Sequence, residues 1–226
     1  MTPLVLACLL FLLPHLVITP TGARPALMNA MGERVYLVLY SALSLGALVW
    51  MGMAYGDAPY VPVWDPPVGM RHLSLILVPI AFVLMVLAVA TPNPTSVGAQ
   101  KVLEKGEARG IFGITRHPLM WAFILWAVAH LLANGDLASI LLFGTIFVTA
   151  AVGMVLQDKR KSREAPEGFG RLKAHSSIIP FAALVSGRAK PALGWADAAK
   201  AAAGLVLFAV LLMSHRWLFG VSPLPM

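Results

Sequence analysis

An all-α polytopic membrane bundle of about six transmembrane helices, with both termini on the non-cytoplasmic side, is the fold this 226-residue sequence predicts. Three observations predict it. Apolar residues make up 59% of the chain and charged residues only 12%, where a soluble domain carries roughly 25% charged residues. The apolar residues gather into six runs, most of them close to the ~20 residues that cross ~30 Å of hydrocarbon. The basic residues collect in alternate loops between those runs, which is the pattern of cytoplasmic loops.

The first run covers 3–19. No Lys or Arg precedes Arg24, and no small-x-small cleavage site follows, so the run reads as a retained span rather than a signal peptide. Pro14 frees a carbonyl of the preceding turn, and His15 beside it is a candidate to satisfy one. Pro20-Thr21-Gly22 ends the run. The second run, 35–56, is unbroken. Asp65-Pro66-Pro67 precedes the third, 73–91, and Pro92-Asn93-Pro94 stops it. Arg116-His117-Pro118 opens the fourth, 119–133, with Pro118 suited to a first helical turn. Asn134-Gly135-Asp136 joins it to the fifth, 137–157, as a tight helical hairpin. Gly135 is expected to be left-handed there and Asp136 to cap the next helix. The sixth run is 198–219. The first and fourth are short, as in a locally thinned bilayer.

Charge sets the orientation. Arg24, Arg34, Lys101, Lys105, Arg109, Arg116 and the basic run from Lys159 to Lys190 follow spans one, three and five. Only Arg71 and Arg216 lie on the other side. The positive-inside bias therefore places both termini outside the cytoplasm. The net charge of +7 is a topology signal that also favours membrane lipids with anionic headgroups. It does not indicate nucleic acid, because the basic residues flank spans and form no nucleic-acid module. The chain reads as one domain, 1–226, with 158–195 a basic cytoplasmic loop whose apolar residues suit an interface. A single cysteine, Cys8, excludes an internal disulfide and any multi-thiolate metal site. There is no P-loop, no His-Glu-x-x-His and no row of mid-span carboxylates, which argues against an ion pump.

The histidines carry the remaining information. An ionisable residue within a span faces the bundle interior and marks a candidate site. His130 shares one face of span four with Trp126 and Asn134, each four residues away. Neutral imidazole is a haem-iron ligand whose second nitrogen needs an acceptor, and it is equally an interhelical hydrogen-bonding group. His15 has the same two readings. His117 and Arg116, with the backbone N–H groups of a helix start, could hold an anion or anchor the headgroup region. His72 and His215, each beside an arginine, read as outer-face anchors, and His175 as solvated. His117 and His130 are ~20 Å apart along one helix and cannot share an iron. Depth favours His15 with His117, and His130 with His72 or His215.

Arg116-His117-Pro118, the run from Trp126 to Asp136, Val63-Trp64-Asp65-Pro66-Pro67 and Arg71-His72-Leu73 together resemble the NnrU family. That family's name implies nitrite or nitric oxide metabolism in the inner membrane of denitrifying bacteria. The same pattern is similar to plant zeta-carotene isomerases, which are haem b membrane enzymes with histidine ligands. The implied metal ligands are His130 and His15, with Trp126 and Asn134 around the first. The resemblance thus implies haem b and a redox or isomerase-type reaction on a small apolar substrate. Arg116-His117-Pro118, Phe169-Gly170 and Ile179-Pro180 are also similar to isoprenylcysteine carboxyl methyltransferases. That similarity implies S-adenosylmethionine held by Arg116 and His117. A third reading is a non-enzymatic assembly factor bound to respiratory reductase components.

Overall fold

The structure is a computed structural model describing residues 1–19, 21–95, 100–106, 108–190 and 193–224. Pro20, assigned above to the turn after the first run, lies outside the described residues. Among those residues there is no β-strand, and all six apolar runs fall on helices.

Helix α1 (Thr2–Leu13) continues through Pro14 as one π-helical turn, Pro14–Ile18. Pro14 has no N–H to close the preceding turn. The ladder resumes in the wider register, with Thr19 N–H donating to the Pro14 carbonyl at 3.1 Å. Short α2 (Ala23–Met31) and long α3 (Glu33–Gly56) follow. Next come α4 (Val68–Ala90), α5 (Gln100–Lys105), α6 (Ile111–Ile114), α7 (Pro118–Ala133) and α8 (Leu137–Glu164). The chain ends with α9 (Pro166–Ala174), α10 (Ala182–Val185) and α11 (Trp195–Phe219). Helices α3, α4, α8 and α11 are long and apolar enough to cross a membrane, whereas α7, at 16 residues, is shorter.

The helices stack in the order α11, α4, α7 and α8, with α1 and α3 closing the far side of α8. Small residues set the spacing. A Cβ on Gly204 of α11 would lie 2.8 Å from Val83 Cα of α4, so glycine permits that close approach. Ser74 Oγ of α4 donates to the Ala129 carbonyl of α7 at 2.6 Å, a polar tie across an otherwise apolar seam. Leu4, Ala7, Cys8, Met51, Ala127, Leu142 and Phe143 form the largest buried cluster, where α1, α3, α7 and α8 meet.

The α7–α8 hairpin forms as expected, but by a different device at its glycine. Asp136 does cap α8, accepting the Ser139 N–H at 2.9 Å. Gly135 is not among the positive-φ glycines. Its role is room: the Gly135 carbonyl accepts from Val63 N–H (2.7 Å) and Trp64 N–H (3.0 Å), and a Cβ would collide with the Trp64 carbonyl. Leu137 N–H donates back to the Val61 carbonyl at 2.9 Å. The segment between α3 and α4 is thus strapped over the hairpin turn.

At the other end the basic loops gather. Arg24 Nη1 meets Glu164 Oε1 at 2.8 Å, and Arg171 donates to the Glu104 carbonyl. Leu103 of α5 packs with Phe169 and Leu172 of α9. The stretch expected as a loop over 158–195 is therefore largely helical. Lys and Arg are good helix formers, and at the last turn of α8 they complement its dipole. Reporter fusions at Ser96, which lies outside the described residues, and at Gly187 are expected to give cytoplasmic signals. A periplasmic signal at both sites would reverse the assigned orientation.

Candidate functional site

His130 sits in the α7–α8 interface rather than towards lipid. Its ring stacks on Phe143 of α8 with centroids 4.6 Å apart and tilts against Trp126 at 4.5 Å. Trp126 and Tyr55 both present their rings to Phe143, at 5.1 and 5.9 Å. The polar atoms of the expected stripe bond to one another along the helix. His130 Nδ1 lies 2.7 Å from the Trp126 carbonyl, and Asn134 Nδ2 donates to the His130 carbonyl at 2.8 Å. A carbonyl only accepts, so Nδ1 carries the proton and the neutral ring leaves a lone pair on Nε2. Nearby, Ser139 Oγ donates to Asp136 Oδ2 at 2.6 Å and accepts from the Tyr55 hydroxyl at 3.0 Å. The site is a packed aromatic cluster around one imidazole whose Nδ1 is committed to the helix backbone.

A second cluster lies at the opposite end of α7. Arg116 and His117 are 5% and 2% exposed. Both close on Asp158 of α8. Arg116 Nε donates to Asp158 Oδ2 at 2.9 Å and its Nη2 donates to the same oxygen, while His117 Nε2 donates to Oδ1 at 2.7 Å. His117 Nδ1 is buried without a hydrogen-bond partner among the described residues. The 175–181 segment seals this cluster. Arg116 N–H donates to the Ser177 carbonyl (3.0 Å), Trp121 Nε1 to the Ile178 carbonyl (2.8 Å), and Phe181 N–H to the Ile114 carbonyl (3.0 Å).

Asp158 is the residue the sequence reading passed over. The acid stands next to Lys159, Arg160 and Lys161, where it reads as part of a basic stretch. A signal was present: residues roughly equidistant from a hairpin turn meet, and 116 and 158 flank Gly135 in that way. With Asp158 in place, the guanidinium expected to clamp a cofactor carboxylate holds a carboxylate of its own chain.

Of the other histidines, His215 lies near enough to His130 for its charge to act on that ring, in line with the expected pairing by depth, whereas the rest stand apart. His15 Nδ1 lies 2.6 Å from the Phe11 carbonyl, so it does satisfy a carbonyl near Pro14. Its ring stacks on Phe11 at 4.5 Å and meets Tyr40 edge-on at 5.4 Å. Tyr40 and Tyr55, which flank His15 and the His130 cluster respectively, are ~22 Å apart along α3. The structure therefore does not bring His15 and His130 together. It does not pair His15 with His117 either, since His117 binds Asp158. His72 and His215 hold the Val68 and Val221 carbonyls, and exposed His175 the Arg188 carbonyl. No group of three or more His, Cys, Asp or Glu side chains suited to a metal occurs among the described residues.

Comparison with known proteins fits this architecture. The family described as NnrU protein matches residues 3–223. The chain is 31% identical over 172 residues to 15-cis-zeta-carotene isomerase, chloroplastic, of Zea mays, which covers 70% of this chain and 44% of that protein. It is 34% identical over 87 residues to the protein of the same name from Arabidopsis thaliana, covering 35% of this chain and 22% of that one. The chain thus spans less than half the length of these curated relatives. No solved structure matches. The family match runs from α1 to beyond the end of α11 and takes in both clusters, and the chain belongs to the NnrU family.

Proposed function

We propose that this chain is an isomerase-type membrane enzyme acting on an apolar substrate taken from the lipid phase, with haem b ligated through His130. The observation that carries the reading is the hydrogen bond between His130 Nδ1 and the Trp126 carbonyl. The Trp126 carbonyl accepts from His130 Nδ1 at 2.7 Å, so the ring is fixed in direction with Nε2 left to hold a metal were haem bound. The aromatic packing supports it: Trp126, Phe143 and Tyr55 supply apolar faces around the ring. The names of the two plant relatives point to a polyene hydrocarbon as the kind of substrate such faces suit.

The donor chemistry at His130 fits haem. His15 offers the same lone pair but at another depth, so it stands as a second, separate position. Bound haem would supply redox and Lewis-acid chemistry at iron. The chain's own part is to hold the His130 Nδ1–H against the Trp126 carbonyl and to keep the ring between Trp126 and Phe143. A role in nitric oxide or nitrite metabolism in a bacterial inner membrane would use the same centre. The methyltransferase reading finds less support, because Asp158 occupies the Arg116 guanidinium.

The test is the absorption spectrum of protein purified from haem-replete cells. A Soret band is expected, lost in His130→Ala and retained in His72→Ala. Colourless wild-type protein would overturn the haem assignment. Heat on titration with S-adenosylhomocysteine would revive the methyltransferase reading.

A further inference from the structure

We propose that Arg24, Arg160 and Lys161, beside Tyr36 and Tyr40, form a binding site for the phosphate of an anionic phospholipid at the basic end of the bundle. The charges do not balance there. Glu164 serves two of the three cations, with Arg24 Nη1 at 2.8 Å and Lys161 Nζ at 3.6 Å. The side chains of Lys161 and Arg24 are only 5% and 14% exposed. Arg160 makes no hydrogen bond or ion pair among the described residues, and its Nε is buried without a partner. Three cations thus share one carboxylate in a largely desolvated place.

A buried cation without a counter-charge is costly, and low dielectric strengthens its attraction for an anion. The group that completes this cluster is therefore anionic. A planar guanidinium with unused donors matches phosphate oxygens. The aromatic side is already organised: the Arg24 guanidinium lies 5.9 Å from the Tyr36 ring centroid, and the Tyr40 hydroxyl bonds Thr19 Oγ1 at 3.0 Å. Depth names the source of the phosphate. Helix α8 is 28 residues long, or ~42 Å, so its last turns project past ~30 Å of hydrocarbon into the headgroups. The leaflet facing the basic loops is the one rich in anionic lipid.

The experiment uses the full chain in neutral detergent, titrated separately with phosphatidylglycerol, phosphatidylcholine and inorganic phosphate. Bound lipid is counted by native mass spectrometry and the melting temperature is followed in parallel. One phosphatidylglycerol per chain is expected to be retained and to raise the melting temperature, with phosphatidylcholine retained far less. Arg160→Gln should weaken that binding roughly tenfold or more. Glu164→Gln should tighten it, because the carboxylate competes for the same cations. A purely structural role for these residues would give no such gain. Equal retention of both lipids, or wild-type affinity in Arg160→Gln, overturns the site. A matching shift with millimolar inorganic phosphate keeps the phosphate chemistry but overturns the lipid as its source. If Arg160→Gln does not fold, unchanged or weaker binding by Glu164→Gln overturns the proposal.

Discussion

Asp158→Ala is expected to cost about 3–5 kcal/mol of stability, the range for removing one partner of a buried ion pair. The carboxylate accepts from Arg116 through Nε and Nη2 and from His117 through Nε2. Without it, a buried guanidinium and imidazole beneath the 175–181 segment lose their shared acceptor. Folded proteins hold only about 5–15 kcal/mol in reserve, so this one change should remove a large share of the margin. Asp158→Asn keeps the shape and one acceptor oxygen and should lose less. A double variant, Arg116→Met with Asp158→Leu, removes both charges and should recover much of the loss. Thermal melts of detergent-purified variants, with accumulation in the membrane as a second measure, give the order. A single Asp158→Ala variant within about 0.5 kcal/mol of wild type would show that the cluster does not hold α7 to α8.

What the sequence made legible follows from how strong each signal is in a single segment. The six apolar runs emerge because hydrocarbon demands long uncharged stretches, but among the described residues only four of their helices are long and apolar enough to cross, or five if the bent first pair counts as one span, fewer than the six expected. The α7–α8 hairpin was legible from Asn134-Gly135-Asp136, yet the reason for the glycine was not. Its need is set by the Trp64 carbonyl, about 70 residues earlier in the chain, which no local pattern reveals. The helices within 158–195 were hidden because a basic, mixed segment carries no clear period, and packing of Phe169 and Leu172 on Leu103 decides its state. The intrahelical bonds of the Trp126, His130 and Asn134 stripe follow from four-residue spacing, which sequence displays directly. The partners of those residues on other helices, Phe143 above all, depend on hairpin register. The separation of His15 from His130 was foreshadowed by depth alone, since their spans run in opposite directions.

His130→Leu is expected to abolish function while leaving the bundle folded. Leucine fills a similar volume and brings no unmet polar atom into the α7–α8 seam. The Trp126 carbonyl loses the Nδ1 donor but keeps the backbone N–H of residue 130 within the helix ladder, so no orphaned acceptor results. The loss is one side-chain hydrogen bond, about 0.5–1.5 kcal/mol, with a further contribution of the same size from stacking on Phe143. On the proposed haem assignment, function, in contrast, rests on the Nε2 lone pair, which leucine does not have. Leu132→Ala, two residues along and turned away from Phe143, should stay largely active while costing comparable packing energy. Complementation of a strain lacking the gene, run beside melting curves for both variants, separates the two effects. An inactive but folded His130→Leu protein beside an active Leu132→Ala protein is the expected pair. Full complementation by His130→Leu would reduce His130 to a hydrogen-bonded element of helix packing and remove the aromatic cluster from consideration as the site.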